Sequence, residues 1–449
     1  MRLQNLTRML SAAMLICSQI TYLNDATAAS TPAADTTWQL DPSFGANGIV
    51  EFDGDATPPS YNFLNYRTFP KSDGSINVLA CHLRLNGKMP VDSCSAFAYS
   101  TTGQAISVTH YFGRSGFVDV KRYDVQSDNR LIFTAYLEAQ RLNADLTPDP
   151  TITSSGLTTL FASGFYSDDA LGDIRPIVQP DDRILITNHL ENGDLKLARL
   201  LADGSLDSSY GITRVITNVA DIKGLDRAFP SMVLLSPHTT GPSTLCAARE
   251  YSATGALVAT LFDSTSNNDV NLCRSEHFVR HPNGGYAWIV PSGEYAIYRS
   301  KSGGGIDQTF GNSGSVQITP PNGSNLVFAG GPNPLAVSPT GQIVTALMLR
   351  TSGPITTSTQ YYRMLVGFNA DGSPDASFGP HGKMIPPINA CCSIAELFAL
   401  PDGKLLLTGM TYNRFMLIRM KPLSIKSTTY MPIVLNNQYI TKSDKRDAV

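Results

Sequence analysis

The stretch Leu40–Val50, LDPSFGANGIV, decides the fold, because it returns three more times along the chain. LDSSYGITRVI begins at Leu206, IDQTFGNSGSV at Ile306 and PDASFGPHGKM at Pro374. Each copy sets an aspartate, two small or turn residues and an aromatic–glycine pair ahead of a short strand. The matching residues are Asp41, Phe44 and Gly45; Asp207, Tyr210 and Gly211; Asp307, Phe310 and Gly311; Asp375, Phe378 and Gly379. The aspartates lie 166, 100 and 68 residues apart. Those separations fit three, two and one units of about fifty residues, the last lengthened by an insertion.

A second motif, a polar turn followed by an apolar strand, fills the gaps. It reads KSDGSINVLA at Lys71, QSDNRLIFTA at Gln126, QPDDRILIT at Gln179, HPNGGYAWIV at His281, SPTGQIVTA at Ser338 and LPDGKLLLTG at Leu400. A degenerate copy, SPHTTGPSTLCAA, starts at Ser236 and brings the units to seven. Apolar residues alternate or run in short stretches, and no helical period persists, which excludes a solenoid of helix pairs. Several short strands per unit between Gly, Asn and Asp turns describe a propeller blade. The expectation is an all-β, seven-bladed β-propeller over residues 36–421, with 422–449 as a C-terminal tail.

The ends predict how the ring closes. The last unit, LPDGKLLLTGMTYNRFMLIRMKP, stops before any aspartate–aromatic–glycine segment, whereas the copy at Leu40 precedes every blade. The N-terminal segment therefore supplies the outer strand of the last blade, removing two open sheet edges. TTYMPIVLN, from Thr428, competes for that edge but does not match the repeat.

Both motifs, best kept at Leu40, Ile306, Pro374 and Leu400, resemble the delta-60 repeat, a propeller-forming family of exported bacterial proteins. The resemblance covers roughly residues 38–421, with units two and four departing from it. It implies a propeller and export, and brings no agreed catalytic residues.

Residues 1–28 read as a secretory signal, with Arg2 and Arg8 ahead of the apolar MLSAAMLICSQI and a small-residue cleavage site at Ala26-Thr27-Ala28. Ile16 stands where a lipoprotein signal sets a small residue before its cysteine, Cys17 here, so no lipid anchor is expected. No later segment is long and apolar enough to span a bilayer. The expected location is the periplasm or the cell exterior. Charged residues make up 16% of the chain and the formal net charge is −3. Without a basic stripe, nucleic acid is excluded as a partner.

Beyond the signal stand Cys81, Cys94, Cys246, Cys273, Cys391 and Cys392, an even set that suits disulfides in an exported protein. Cys81 and Cys94 fall on neighbouring strands of one hairpin and are the first expected pair; Cys246 and Cys273 are the second. Cys391-Cys392 is vicinal, read as a rigid clip or two buried thiols rather than a redox or ligand-contacting element.

The repeat aspartates recur in every good copy, so they are read as structural corners, accepting backbone N–H bonds from residues two or three on. Catalysis needs an asymmetric cluster instead. Carboxylates also gather at Asp53 and Asp55, Asp168 and Asp169, and Asp181 and Asp182. Calcium is the metal such turns would take, but none has the spacing of a calcium loop, and they are read as solvated turns. The histidines are His82, His110, His189, His238, His277, His281 and His381, without a HExxH pattern. His277 and His281 would share a face of a regular strand, with no third ligand in view.

No nucleophile elbow, phosphate loop or dinucleotide fingerprint occurs. Two tryptophans, Trp38 and Trp288, are too few for a quinone-dependent dehydrogenase propeller and offer few sugar platforms. TSGPITTSTQ, from Thr351, lengthens blade six on one face, where a grafted loop could bind or simply move. The expected function is a binding or interaction module for a protein or glycan of the envelope or exterior, with no cofactor and no assignable catalytic residue. The alternative is a hydrolase or lyase acting on a glycan or lactone at the central channel.

Overall fold

The computed structural model describes residues 38–53, 63–71, 73–86, 89–112, 123–135, 138–144, 147, 149, 151, 173–179, 181–189, 194–210, 214–216, 221–226, 231–237, 246–264, 276–292, 294–321, 324–327, 334–351, 361–388, 393–411, 414–422, 434–435 and 438–439. Apart from a two-stranded pair in the tail, they form seven antiparallel sheets arranged as the blades of a β-propeller. Blade one spans 63–112, blade two 123–142, blade three 173–216, blade four 221–263, blade five 276–318, blade six 324–384 and blade seven 393–422. Within blades one to six the strands follow sequence order from the inner strand to the outer edge.

Local chemistry fixes the hairpins. In every blade but the fourth the described inner turn is a five-residue loop whose ends are joined by a backbone bond, such as Lys71 N to Ser75 O at 2.8 Å and Leu400 N to Lys404 O at 2.8 Å. The aspartate in the middle accepts the N–H two residues on: Asp73 from Ser75, Asp128 from Arg130, Asp181 from Arg183 and Asp402 from Lys404. The next residue adopts a positive φ. Glycine does this at 74, 341 and 403, while Asn129 and Asp182 do it in blades two and three, the side chains that best tolerate that region. The second strands, with neighbours on both faces, become continuous apolar runs: Ile184, Leu185 and Ile186, or Leu405, Leu406 and Leu407, all buried.

The ring closes as the repeat predicts. Trp38–Leu40 and Ile49–Asp53 both pair with Arg414–Pro422, the third strand of blade seven, in the register Leu40 with Met420 and Ile49 with Ile418. In the tail, Val434–Leu435 pairs with Gln438–Tyr439.

Two local expectations change. The segment at Ser236 is not the inner turn of blade four, because Asp221–Asp226 and Ser231–Pro237 already form its inner and second strands. Its Pro, Gly and Thr residues instead follow the second strand, before the third at Cys246–Ser252. Blade two has three described strands, Tyr123–Val125, Leu131–Ala135 and Glu138–Leu142. His277 and His281 do not share a regular strand face, since the register shifts between Glu276 and Val279, His277 has φ 54°, and His281 lies beyond the strand.

The register sets Cys81 directly opposite Cys94. Cys246 is buried and disulfide-bonded. The signal segment, Cys273, Cys391 and Cys392 lie outside the described residues. Among the described residues no helix is long and apolar enough to cross a membrane.

Candidate functional site

One rim of the ring is built from the repeat. Asp41 accepts from Ser43 N at 3.1 Å, Ser43 Oγ at 2.7 Å and Arg419 Nε at 2.8 Å. Asp307 accepts from Thr309 N at 3.1 Å, Thr309 Oγ1 at 2.7 Å, and Arg299 Nε and Nη2 at 3.0 and 2.7 Å. Asp207 repeats this with Ser209 N at 3.0 Å and Arg199 Nε at 2.8 Å. The guanidinium carbon lies over the repeat aromatic, 4.4 Å from the centre of Phe44, 4.5 Å from Tyr210 and 4.7 Å from Phe310. The aromatics are buried between consecutive blades: Phe44 between seven and one, Tyr210 between three and four, Phe310 between five and six.

The arginine also reaches across the blade junction. Arg419 Nη1 donates to Thr101 O, and Arg299 Nη1 to Ala370 O, both carbonyls of the next blade's outer turn. Gly45 N and Gly311 N donate to Thr102 O and Asp371 O on the same turns, each at 2.8 Å. The aspartate, arginine, aromatic and glycine thus form an inter-blade latch. Gly45 and Gly311, at φ 53° and 55°, leave no room for a Cβ, which would stand 2.2 and 2.4 Å from the carbonyl oxygens of Ile49 and Ser315. Burial opposes ionisation of Asp41, but Ser43, Arg419 and Lys404 outweigh it and lower its pKa to about 2. Burial likewise opposes, and Thr309 and Arg299 reverse, the shift at Asp307, whose pKa is lowered.

The aspartates were legible in the sequence; their arginines were not, Arg419 across the closure from Asp41, and Arg199 and Arg299 eight residues before Asp207 and Asp307. That spacing exposes a further copy, Arg141 with Asp149 and Thr151 in blade two. Arg141 Nε lies 2.8 Å from Asp149 Oδ2, and Nη1 2.7 Å from Ala202 O of blade three. The pattern Arg-x7-Asp-x-Ser/Thr would have found it. At Asp375 the arginine is replaced by Gly367, over which the ring of Phe378 lies, and Gln342 Nε2 donates instead at 3.2 Å. In blades one and four the same turn positions carry Ala98 with Ile106, and Glu250 with Val258; Ile106 is 64% and Val258 56% exposed. Glu250 bonds forward to Arg280 Nη1 of blade five at 2.9 Å.

Polar side chains also join inner strands. Glu396 of blade seven is fully buried and accepts from Thr68 N at 2.8 Å, Arg67 Nη1 at 3.1 Å and Thr408 Oγ1 at 3.3 Å. Burial raises its pKa against the opposing pull of Arg67 and Thr68. Asp124 Oδ2 accepts from Val178 N of blade three at 2.6 Å. His281 Nε2 lies 3.0 Å from Gly341 O and its Nδ1 accepts from Asn283 N at 3.2 Å; burial lowers its pKa, so the ring is neutral at neutral pH. These groups link neighbouring blades: Glu396 joins seven to one, Asp124 two to three and His281 five to six.

The acidic turns divide similarly. Asp182 accepts from Ser127 N at 2.7 Å, and Asp181 lies 3.4 Å from Arg183. Asp53 is paired in register with Arg414, while Asp55, Asp168 and Asp169 lie outside the described residues. Among the described residues no three His, Cys, Asp or Glu side chains come close enough to hold a metal ion.

The opposite rim differs. Antiparallel order places every connection from an outer strand to the next inner strand there, together with the second-to-third connections. Strand ends on this rim bound 54–62, 113–122, 265–275 and 389–392, and also 352–360, the insertion noted in the sequence. The candidate site is this rim: a rigid ring presents its longer connections on one side and its latched turns on the other.

A β-propeller family described as a domain of unknown function, DUF5122, matches residues 179–210. Among curated proteins no relative matches the chain. Of solved structures, the chain is similar to an acylaminoacyl peptidase of Pyrococcus horikoshii at 10% identity and TM-score 0.43, covering 80% of this chain and 52% of that one. It therefore spans about half of that peptidase's length. A gluconolactonase of Xanthomonas campestris is 11% identical with TM-score 0.30, covering 65% of this chain and 83% of that one. Drosophila plexin A, in complex with semaphorin 1b, is 9% identical with TM-score 0.36, covering 83% of this chain and 86% of that one.

Proposed function

We propose that this chain is an exported binding module that holds a protein or glycan of the cell envelope or exterior on the rim bearing the long connections. One observation supports it above the others: the five-residue latched turns lie on one rim, whereas the strand ends bounding 54–62, 113–122, 265–275 and 352–360 lie on the other. The latches spend the charged side chains of the first rim on holding blades together. Recognition then falls to the second rim, whose connections can vary without disturbing the scaffold. The signal-like residues 1–28 support export, and the Ser, Thr, Asn and Gly of the surface suit it.

Photo-crosslinking residues introduced singly on both rims provide the test. Positions within 352–360 and 265–275 should capture an envelope partner, and positions 128, 203 and 371 on the latched turns should not. Deleting 352–360 should abolish capture from the neighbouring positions without lowering the unfolding midpoint. Equal capture from both rims, or capture from the latched turns alone, would refute the assignment.

A further inference from the structure

The latch has two parts, a tether from the outer segment to the third strand and a reach to the next blade, and blade one lacks the arginine and aspartate that make them. At the positions of Arg199 and Asp207, counted from the matching turns Leu201–Ser205 and Ser100–Gln104, blade one carries Ala98 and Ile106. It receives a latch through Thr101 and Thr102, whereas Ala98 has no guanidinium to send one onward. Its outer strand, Ala105–Phe112, exposes Ile106 and Val108 at 64% and 49%.

Blade four also lacks the tether, with Glu250 and Val258 at those positions, and there the third strand carries the disulfide-bonded Cys246. Blade one holds a matching pair of residues. Cys81 in the second strand is the register partner of Cys94 in the third. Directly opposed residues of an antiparallel pair share a face, with Cα atoms about 4.5–5.5 Å apart. That separation lies inside the range a disulfide spans.

We infer that Cys81 and Cys94 form a cross-strand disulfide that secures blade one in place of the missing tether. Formation removes one proton and one electron from each thiol. A thiol–disulfide exchange protein of the export compartment accepts them, its own disulfide being reduced as the new bond forms. The cross-link closes a short hairpin, so it holds the second and third strands together even where the outer strand has no ionic tether. Oxidation thereby fixes locally what the Arg–Asp pair fixes in blades two, three, five and seven.

The test uses the full chain purified from an oxidising compartment, alkylated without reductant, digested and mapped by mass spectrometry. A linked peptide joining Cys81 to Cys94 is expected. Mild reductant under native conditions should then speed amide exchange in residues 76–99 by on the order of a hundredfold, leaving blades five and six unchanged. Cys81→Ala/Cys94→Ala should show the faster exchange and no further response to reductant in that blade. If that variant fails to fold, the reductant titration of the unaltered chain still decides. Free thiols at both positions, linkage of either to another cysteine, or a linked pair whose reduction leaves exchange in 76–99 unaltered would each overturn the inference. Free thiols with intact partner capture would overturn this inference and leave the binding reading standing.

Discussion

Replacing Arg299 by alanine tests the latch where its geometry is most complete. Arg299 is 6% exposed, donates to Asp307 Oδ2 at 3.0 and 2.7 Å and to Ala370 O, and lies 4.7 Å from the centre of Phe310. Alanine removes three donated bonds and leaves a buried carboxylate held only by Thr309. Breaking one side of a buried pair costs about 3–5 kcal/mol. A net stability of about 5–15 kcal/mol makes that loss large. Urea unfolding followed by tryptophan fluorescence reads it locally, since Trp288 is fully buried in the same blade and stacked 5.1 Å from Phe278. A cycle of Arg299→Ala, Asp307→Ala and both should show a coupling of about 2–3 kcal/mol. The control is Arg249→Ala, whose partner Asp263 lies 3.4 Å away with both side chains partly in water, where a loss under about 1 kcal/mol is expected. A coupling below about 0.5 kcal/mol, or a loss no larger than the control's, would refute the latch as a source of stability.

The remaining predictions concern acid and glycine. In the folded chain Asp41 titrates at about 2 against an ordinary 3.8. Its contribution is therefore complete above about pH 4 and is lost as pH falls through the folded value. Asp41→Asn should flatten that acid limb in a plot of urea midpoint against pH. Gly372 has φ 89°, and a Cβ there would stand 2.6 Å from Gly311 N, displacing the bond from Gly311 N to Asp371 O. Gly303 has φ 81° with nothing within 4 Å of a Cβ. Gly303→Ala should cost about 1–2 kcal/mol from conformation alone. Gly372→Ala should cost clearly more, measured by the same midpoints.

The seven units, their order and the closure were legible because each depends on local turn chemistry that repeats. Asp-Gly turns, the aspartate corner and the aromatic–glycine pair all act within a few residues of one another. The arginine was invisible for the opposite reason: its partners are an aspartate eight residues on and a carbonyl in the next blade, 71 residues away for Arg299 and Ala370. Asp149 was missed because blade two keeps the charge pair but sets Pro150 and Thr151 after it, without the aromatic–glycine signal. In blade four, Ser236-Pro237 imitates an inner turn in composition, and only strand pairing shows that it ends the second strand. The division between the rims was legible only in part, since strand order rather than residue type creates it.

The closure also sets an order of events in time. Asp41 and Arg419 stand 378 positions apart, yet share a bond of 2.8 Å. The segment made first is thus the last to find its place, for blade seven cannot receive it until the final strand exists. Throughout synthesis, Trp38–Asp53 must remain unpaired while six blades assemble beside it. Contacts this distant in sequence slow folding, and the waiting edge is open to strands from other copies. Joining Pro422 to Trp38, which are register partners, by a short turn and opening the chain between blades would convert the slowest encounter into a hairpin. Such a permutant should fold faster while keeping the same ring.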